Sequence, residues 1–246
     1  MVAKLFGTAH GIPDSDTFRR VFERINPKAL SECLYDWLSY NRKDGNVIAV
    51  DGKTICGSGN HQHKAYHVVS AFVAENHITL GEIVTEEKSN EITAVPELLE
   101  TLDIKNNTIT ADAMSCQKEI VKTISRKKAD YVIALKGNQP KLLENSKLYF
   151  DSVRDKIPTK EFAHAVRSHC SIENQLHWCL DVIFNEDASR VRKDLAPLNL
   201  NVLRKVALSL CKNCQNPKLK KSSLQKRRFR AALDTDTFLS ILLGDS

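Results

Sequence analysis

The chain has 246 residues and a formal net charge of +6, from 36 Lys and Arg against 30 Asp and Glu, with 42% hydrophobic and 27% charged residues. That balance suits one large or two small packed domains and excludes long disorder. No run approaches the roughly 18 apolar residues of a membrane span, and Met1 to His10 lacks the cationic and apolar regions of a secretory signal. Seven cysteines, an odd number, then point to free thiols and a cytoplasmic protein.

The charge is unevenly placed. Residues 1–163 carry 22 basic and 22 acidic side chains, whereas residues 164–246 carry 14 and 8, so the whole excess lies in the last third. A cationic end on a neutral body suits a polyanionic partner, because Lys and Arg release counterions from phosphates. Solvated helix surface is the plainer alternative.

In chain order, Pro13-Asp14-Ser15-Asp16 offers a turn and a cap, and Phe18, Val21, Phe22 and Ile25 follow at helical spacing up to Asn26-Pro27. Leu30, Cys33, Leu34, Trp37 and Leu38 repeat the pattern, which predicts two amphipathic helices over residues 14–40. From Asn46 the texture becomes β-branched: Val47–Val50, Tyr66–Val73 and Ile78–Val84 read as three strands of an antiparallel meander, with Asn76-His77 as a short link. Ser89-Asn90 caps a predicted helix through Leu102. A fourth strand over Thr108–Ala111, a helix over 116–128 and a fifth strand over Tyr131–Leu135 complete an α/β order with a mixed sheet. Beyond Pro140 the pattern predicts helices near 140–153, 161–183 and 196–212, broken at Pro158 and Pro197.

Three acidic residues stand out. Asp51 ends an apolar strand and precedes Gly52-Lys53; strand ends of an α/β sheet collect sites, although for this residue alone an Asp-Gly turn is the plainer account. Asp112 repeats the arrangement at the end of the fourth strand, with capping of the next helix as the alternative. If the first and fourth strands are neighbours, the two carboxylates project from one edge and repel each other, which a divalent metal relieves. Glu173 lies in Ser171-Ile172-Glu173-Asn174-Gln175-Leu176-His177-Trp178, where Ile172, Leu176, Cys179 and Ile183 form an apolar side and Glu173, His177 and Leu180 an adjacent stripe. Taken alone, an acidic helix residue of this kind is ordinary solvated surface.

Together, Val50-Asp51-Gly52-Lys53, Glu87-Lys88-Ser89-Asn90-Glu91-Ile92, Asp112-Ala113-Met114, Lys136-Gly137-Asn138-Gln139 and Ser171–Trp178, followed by Leu180-Asp181-Val182 and Asn185-Glu186-Asp187, resemble the DDE transposases of bacterial insertion sequences, and among them the ISAs-type, or H-repeat-associated, family. The resemblance implies a ribonuclease H-like α/β fold: a mixed sheet of three antiparallel strands, then strands alternating with helices, with flanking helices. It implies that Asp51, Asp112 and Glu173 are the catalytic residues and hold two Mg²⁺ ions, replaceable by Mn²⁺, with Asp51 bridging both. The chemistry is then DNA strand cleavage and strand transfer, two displacements at phosphorus that differ only in the nucleophile. A remnant that binds DNA through its basic end without catalysis is the alternative. Expected partners are double-stranded DNA, as transposon ends and target, and further copies of the chain at synapsis, with the protein beside the nucleoid.

Residues 1–44 read as a helical N-terminal segment, 45–195 as the catalytic core and 196–246 as a basic helical C-terminal segment. Against the family pattern, the chain is expected to be shortened at its N-terminus and before the glutamate helix, where residues 151–162 replace most of a β-rich insertion. Phosphate contact is expected for Lys53, Lys136, Asn138, Gln139, Arg167 and His177, and DNA-backbone contact for the run that includes Lys218, Lys220, Lys221, Lys226, Arg227, Arg228 and Arg230, seven cations in thirteen residues. His61, His63 and His67 read as a polar loop entering a strand. Cys211-Lys212-Asn213-Cys214 is at most half a zinc site, and Trp37 and Trp178 read as core.

Overall fold

The computed structural model describes residues 11–39, 45–61, 63–85, 90–153, 156 and 158–244. Helices α1 (Ser15–Arg24) and α2 (Pro27–Ser39) precede strand β1 (Val47–Thr54), then β2 (His67–Val73) and β3 (Ile78–Thr85). Next come α3 (Glu91–Thr101), β4 (Thr108–Ala111), a 3₁₀ turn (Ala113–Ser115), α4 (Lys118–Arg126) and β5 (Asp130–Ile133). Helices α5 (Pro140–Val153) and α6 (Thr159–Ser171) follow, and α6 runs into two π-helical segments, Ile172–His177 and Cys179–Ile183. Helices α7 (Ala196–Asn213), α8 (Leu224–Leu233) and α9 (Thr235–Leu243) close the chain.

The five strands form one sheet in the order β3-β2-β1-β4-β5. The first three pair antiparallel, as the meander requires, while β1 pairs parallel with β4 and β4 with β5. Alternation along β1 sends neighbouring side chains to opposite faces. Ile48 and Val50 pack with Ala94, Val95, Leu98 and Leu99 of α3 and Ile120 and Ile124 of α4. Ala49 packs on the other face with Ile172, Leu176, Cys179 and Leu180 of the π-helical stretch and Leu208 of α7. The result is an α/β/α sandwich of the ribonuclease H-like kind, and each fully buried Leu or Ile in it stabilises the fold by roughly 1.5–3 kcal/mol.

The N-terminal helices are tied to this body through buried polar groups. Tyr35 donates to Glu82 Oε2 at 2.8 Å, and Lys205 Nζ donates to the same oxygen at 2.6 Å and to Ser70 Oγ at 2.8 Å. Asn199 Nδ2 holds the carbonyls of Phe22 and Ile25 at the end of α1.

Most predicted elements fall within a few residues of their expected bounds. The helix predicted over 161–183 differs: it is α-helical only to Ser171 and then widens into π-turns, with the Trp178 N–H donating to the Glu173 carbonyl. Such turns concentrate at functional sites. Here the wider turn puts His177 and Leu180 on the buried side together with Ile172, Leu176 and Cys179. Trp37 and Trp178, expected in the core, are each about half exposed. The motif residues Glu87, Lys88 and Ser89, with Ser89 as an expected cap, lie outside the described residues.

Candidate active site

The parallel register pairs Ala49 with Thr110, so the same offset two residues on sets Asp51 beside Asp112, just past the end of β4; β1 itself does not end at Asp51 as expected but runs on to Thr54, paired with β2. From the face opposite α3, the π-helical segment brings Glu173 and His177 over Asp51. His177 Nδ1 lies 3.2 Å from Glu173 Oε2 and 3.6 Å from Asp51 Oδ2. One ligand-type atom from each of Asp51, Glu173 and His177 falls within 4.8 Å of the others. Asp112 stands outside that tight group. Its Oδ1 caps the 3₁₀ turn, accepting from Met114 N at 3.0 Å and Ser115 N at 3.2 Å.

The electrostatics at Asp51 are unrelieved. Burial pushes its carboxyl up to about 6, and repulsion from Glu91, Asp112 and Glu173 adds to this against a hydrogen bond from the Gly52 backbone. Burial also holds the His177 imidazole down at about 4, with Lys205 and Lys53 adding to the depression while Glu173 opposes it. The ring is therefore neutral at pH 7, with Nδ1–H toward Glu173; it orients the carboxylate and does not compete for it as a cation.

The expected phosphate-contact residues separate into two groups. Lys136, Arg167, Lys220, Lys221 and Arg230 are exposed. Lys53 is not: its Nζ lies 2.6 Å from Asp181, 3.2 Å from Glu186 and 3.9 Å from Asp187, so its charge is matched inside the fold. Glu186 is fully buried and also accepts from Asn201 at 2.9 Å. His177, expected at the DNA backbone, is a buried ring facing carboxylates. Asn138 donates to the Ala113 carbonyl at 3.1 Å and Gln139 to that of Cys116 at 2.8 Å, so both fasten the turn that follows Asp112. Arg227 donates to the carbonyls of Cys211 at 2.8 Å and Lys212 at 3.3 Å, capping the end of α7, and Arg228 lies 5.2 Å above the Phe184 ring.

One pairing escapes the sequence reading. His67 opens β2, inside the strand expected over Tyr66–Val73, and its Nε2 lies 2.6 Å from Glu91 Oε1, with both side chains buried. The only sequence signal for Glu91 is its place in a motif whose chemistry the spacing does not reveal. The pair Cys211 and Cys214 is buried in an apolar cluster, where burial raises the Cys211 thiol to about 11.

An oxygen-rich donor set that lacks an internal cation fits Mg²⁺ or Mn²⁺. The raised carboxyl of Asp51 is the observation behind that fit: burial first, and then the neighbouring carboxylates, make its negative charge costly, and a divalent ion beside it offsets that cost.

Residues 42–210 match the family described as Transposase DDE domain. "Putative transposase YncI" of Escherichia coli O157:H7 is 36% identical over 303 aligned positions, which cover 92% of this chain and 77% of that protein. "H repeat-associated putative transposase YhhI" of Escherichia coli K12 is 32% identical, covering 96% of this chain and 82% of its own length, and "H repeat-associated putative transposase YbfD" of the same strain is 40% identical over 70% of each. The 303 aligned positions exceed the 246 residues here, so that relative carries residues this chain lacks. Among the described residues no helix is long and apolar enough to cross a membrane.

Proposed function

The chain belongs to the H-repeat-associated DDE transposases, enzymes of DNA cleavage and transesterification, and from that premise we propose that it cuts and rejoins DNA strands by metal-dependent phosphoryl transfer, with Asp51, Asp112 and Glu173 as the metal ligands. The observation that carries this reading is the approach of Glu173 to Asp51 across a long stretch of sequence, with Glu173 hydrogen-bonded to a buried histidine that faces Asp51.

Asp51 feels the charges of both Asp112 and Glu173, and these three carboxylates would hold the ions. When bound, two such ions supply an activated hydroxyl on one side of the phosphodiester and charge stabilisation of the leaving oxygen on the other. The chain's own residues provide the frame. Asn138 and Gln139 hold the Asp112 turn, His177 aims Glu173, and the Lys53 ion pairs anchor the second π-turn and the chain after it to β1. Phosphates would be met by Lys136, Arg167, Lys220, Lys221 and Arg230, and joining two transposon ends to a target calls for more than one copy of the chain.

The test is nicking of supercoiled plasmid with Mg²⁺ or Mn²⁺. Wild-type protein should nick only with metal, and Asp51→Asn and Glu173→Gln should each lower the rate by about a thousandfold. Nicking that persists in a chelator, or in either variant, would overturn the assignment.

A further inference from the structure

The end of β1 is flanked on both faces by a carboxylate and a histidine, and only one of these pairs belongs to the site described above. Glu91 opens α3 with its side chain buried against the β1 backbone. At Gly52 an added Cβ would come within 2.5 Å of His67 Nε2 and 2.7 Å of Glu91 Cδ, and closer still to Glu91 Oε1. Only glycine leaves room for the pair at the residue that follows Asp51. His67 is fixed from its other side, because its Nδ1 lies 2.9 Å from Thr54 Oγ1, and Thr54 is its cross-strand partner. Thr54, His67 and Glu91 thus form a continuous hydrogen-bonded chain under the last residues of β1.

We propose that Glu91, held by His67 against Gly52, is a positioning carboxylate of the metal site: it braces the strand end that presents Asp51 and places a fourth negative charge behind it, which strengthens divalent-cation binding without contact with the ion or the DNA. This rests on the reading of Asp51 as a metal ligand. Gly52, against which Glu91 packs, is the residue next to Asp51, so this carboxylate lies directly behind the backbone that carries the ligand. A buried carboxylate is costly unless it is hydrogen-bonded, and His67 supplies that bond while leaving the negative field directed at the strand end. Groups that act on a metal through its ligands typically change affinity by about 10–100-fold when removed.

The experiment measures Mn²⁺ binding to the whole chain without DNA, by electron paramagnetic resonance of free Mn²⁺ and by calorimetry, beside nicking rates across Mn²⁺ concentrations. Glu91→Gln keeps the shape and an acceptor for His67 but removes the charge. It should weaken Mn²⁺ binding by about tenfold and shift the Mn²⁺ concentration for half-maximal nicking by the same factor, with the saturated rate within about threefold of wild type. A purely structural residue would lower the melting temperature and leave the affinity of the folded protein alone. Should Glu91→Gln not fold, Gly52→Ala displaces the same pair from the backbone side and carries the same expected weakening. A folded variant with Mn²⁺ affinity within twofold of wild type overturns the proposal. Asp51→Asn, measured in parallel, separates the two levels: if it binds Mn²⁺ like wild type, the metal-site reading itself fails, whereas its loss of binding beside an unaffected Glu91→Gln removes only the positioning role.

Discussion

Asp51 and Lys53 lie two residues apart on the same face of β1, both largely withdrawn from solvent, and their surroundings are opposite in kind. Around Lys53 the fold supplies Asp181, Glu186 and Asp187, so a buried cation meets more than its own charge in carboxylates. Around Asp51 it supplies Glu173 and, in electrostatic reach, Glu91 and Asp112, against one backbone hydrogen bond from Gly52 and a histidine ring 3.6 Å away. A charge satisfied by its own chain holds structure together. One left in conflict costs stability and persists where something from outside completes it. On this strand the first pattern marks an anchor and the second marks the candidate catalytic centre.

The anchor gives the largest expected change in stability. Lys53→Met keeps the apolar stem and leaves fully buried Glu186 without its strongest counter-charge, a loss of about 3–5 kcal/mol for a broken buried pair. Asn201 and Arg204 still bond Glu186, which places the expectation at the lower end. Urea unfolding measures it directly. A change below about 1 kcal/mol would show that Lys53 is not an anchor and would erase the contrast with Asp51.

Asp51 should respond in the opposite direction. Its folded pKa, near 6, lies above the ordinary 3.8, so the folded state binds the proton more tightly. Stability therefore falls as pH rises from about 4 to 6, and the whole penalty is present above that window. About two pKa units correspond to roughly 3 kcal/mol, and the side chain is 28% exposed, so little of this is lost to screening. Asp51→Asn should then stabilise the metal-free protein at pH 7 by about 2–3 kcal/mol while abolishing nicking. Added Mn²⁺ should narrow the gap by stabilising the wild type alone. Equal melting of the two proteins at pH 7 without metal would mean that the strand end holds no such conflict.

How far this contrast was legible depends on the range of the interaction that creates it. Apolar strands that end in Asp51 and Asp112 are visible locally, and the order of elements is enough to make β1 and β4 neighbours, so the two aspartates could be placed together. Glu173 needed the motif, because an isolated glutamate on a helix carries no signal of its own. The π-turns left no trace, since Ile172, Leu176, Cys179 and Ile183 suit an α-helix equally well, and only the hydrogen-bond shift at Trp178 and Phe184 distinguishes the two. The partners of Lys53 lie more than a hundred residues along the chain, so its sequence neighbours suggest a phosphate contact, and density of charge does not reveal that the Arg227 guanidinium caps a helix. A large indole suggests the core by its residue type, yet Trp178 is half exposed, on the side of the helix away from Ile172, Leu176 and Cys179.

His177 gives the next smaller effect and tests whether the histidine belongs to the conflict or only lies beside it. Replacing it with Phe keeps a buried ring and removes the Nδ1–H that aims Glu173. Nicking should fall by about 10–100-fold, the range typical for groups that orient a metal ligand, with a matching rise in the Mn²⁺ concentration needed. A variant that keeps the wild-type metal requirement would make the ring packing alone.

The smallest effect separates charge that faces outward from charge spent inside, in the basic segment where the sequence shows only density. Lys220 and Lys221 are exposed, and each phosphate contact contributes about 0.9 to the slope of log K against log salt. Replacing both with Ala should lower the slope for nonspecific duplex DNA by about 2 and weaken binding to unrelated sequences alike. Arg227→Ala removes donors to the carbonyls that end α7 and should cost about 1–3 kcal/mol of stability with the salt slope unchanged. If Arg227 lowers the slope and the lysine pair does not, the surface that meets DNA lies on the other side of α8, and the division between structural and phosphate-facing cations has to be redrawn from that side.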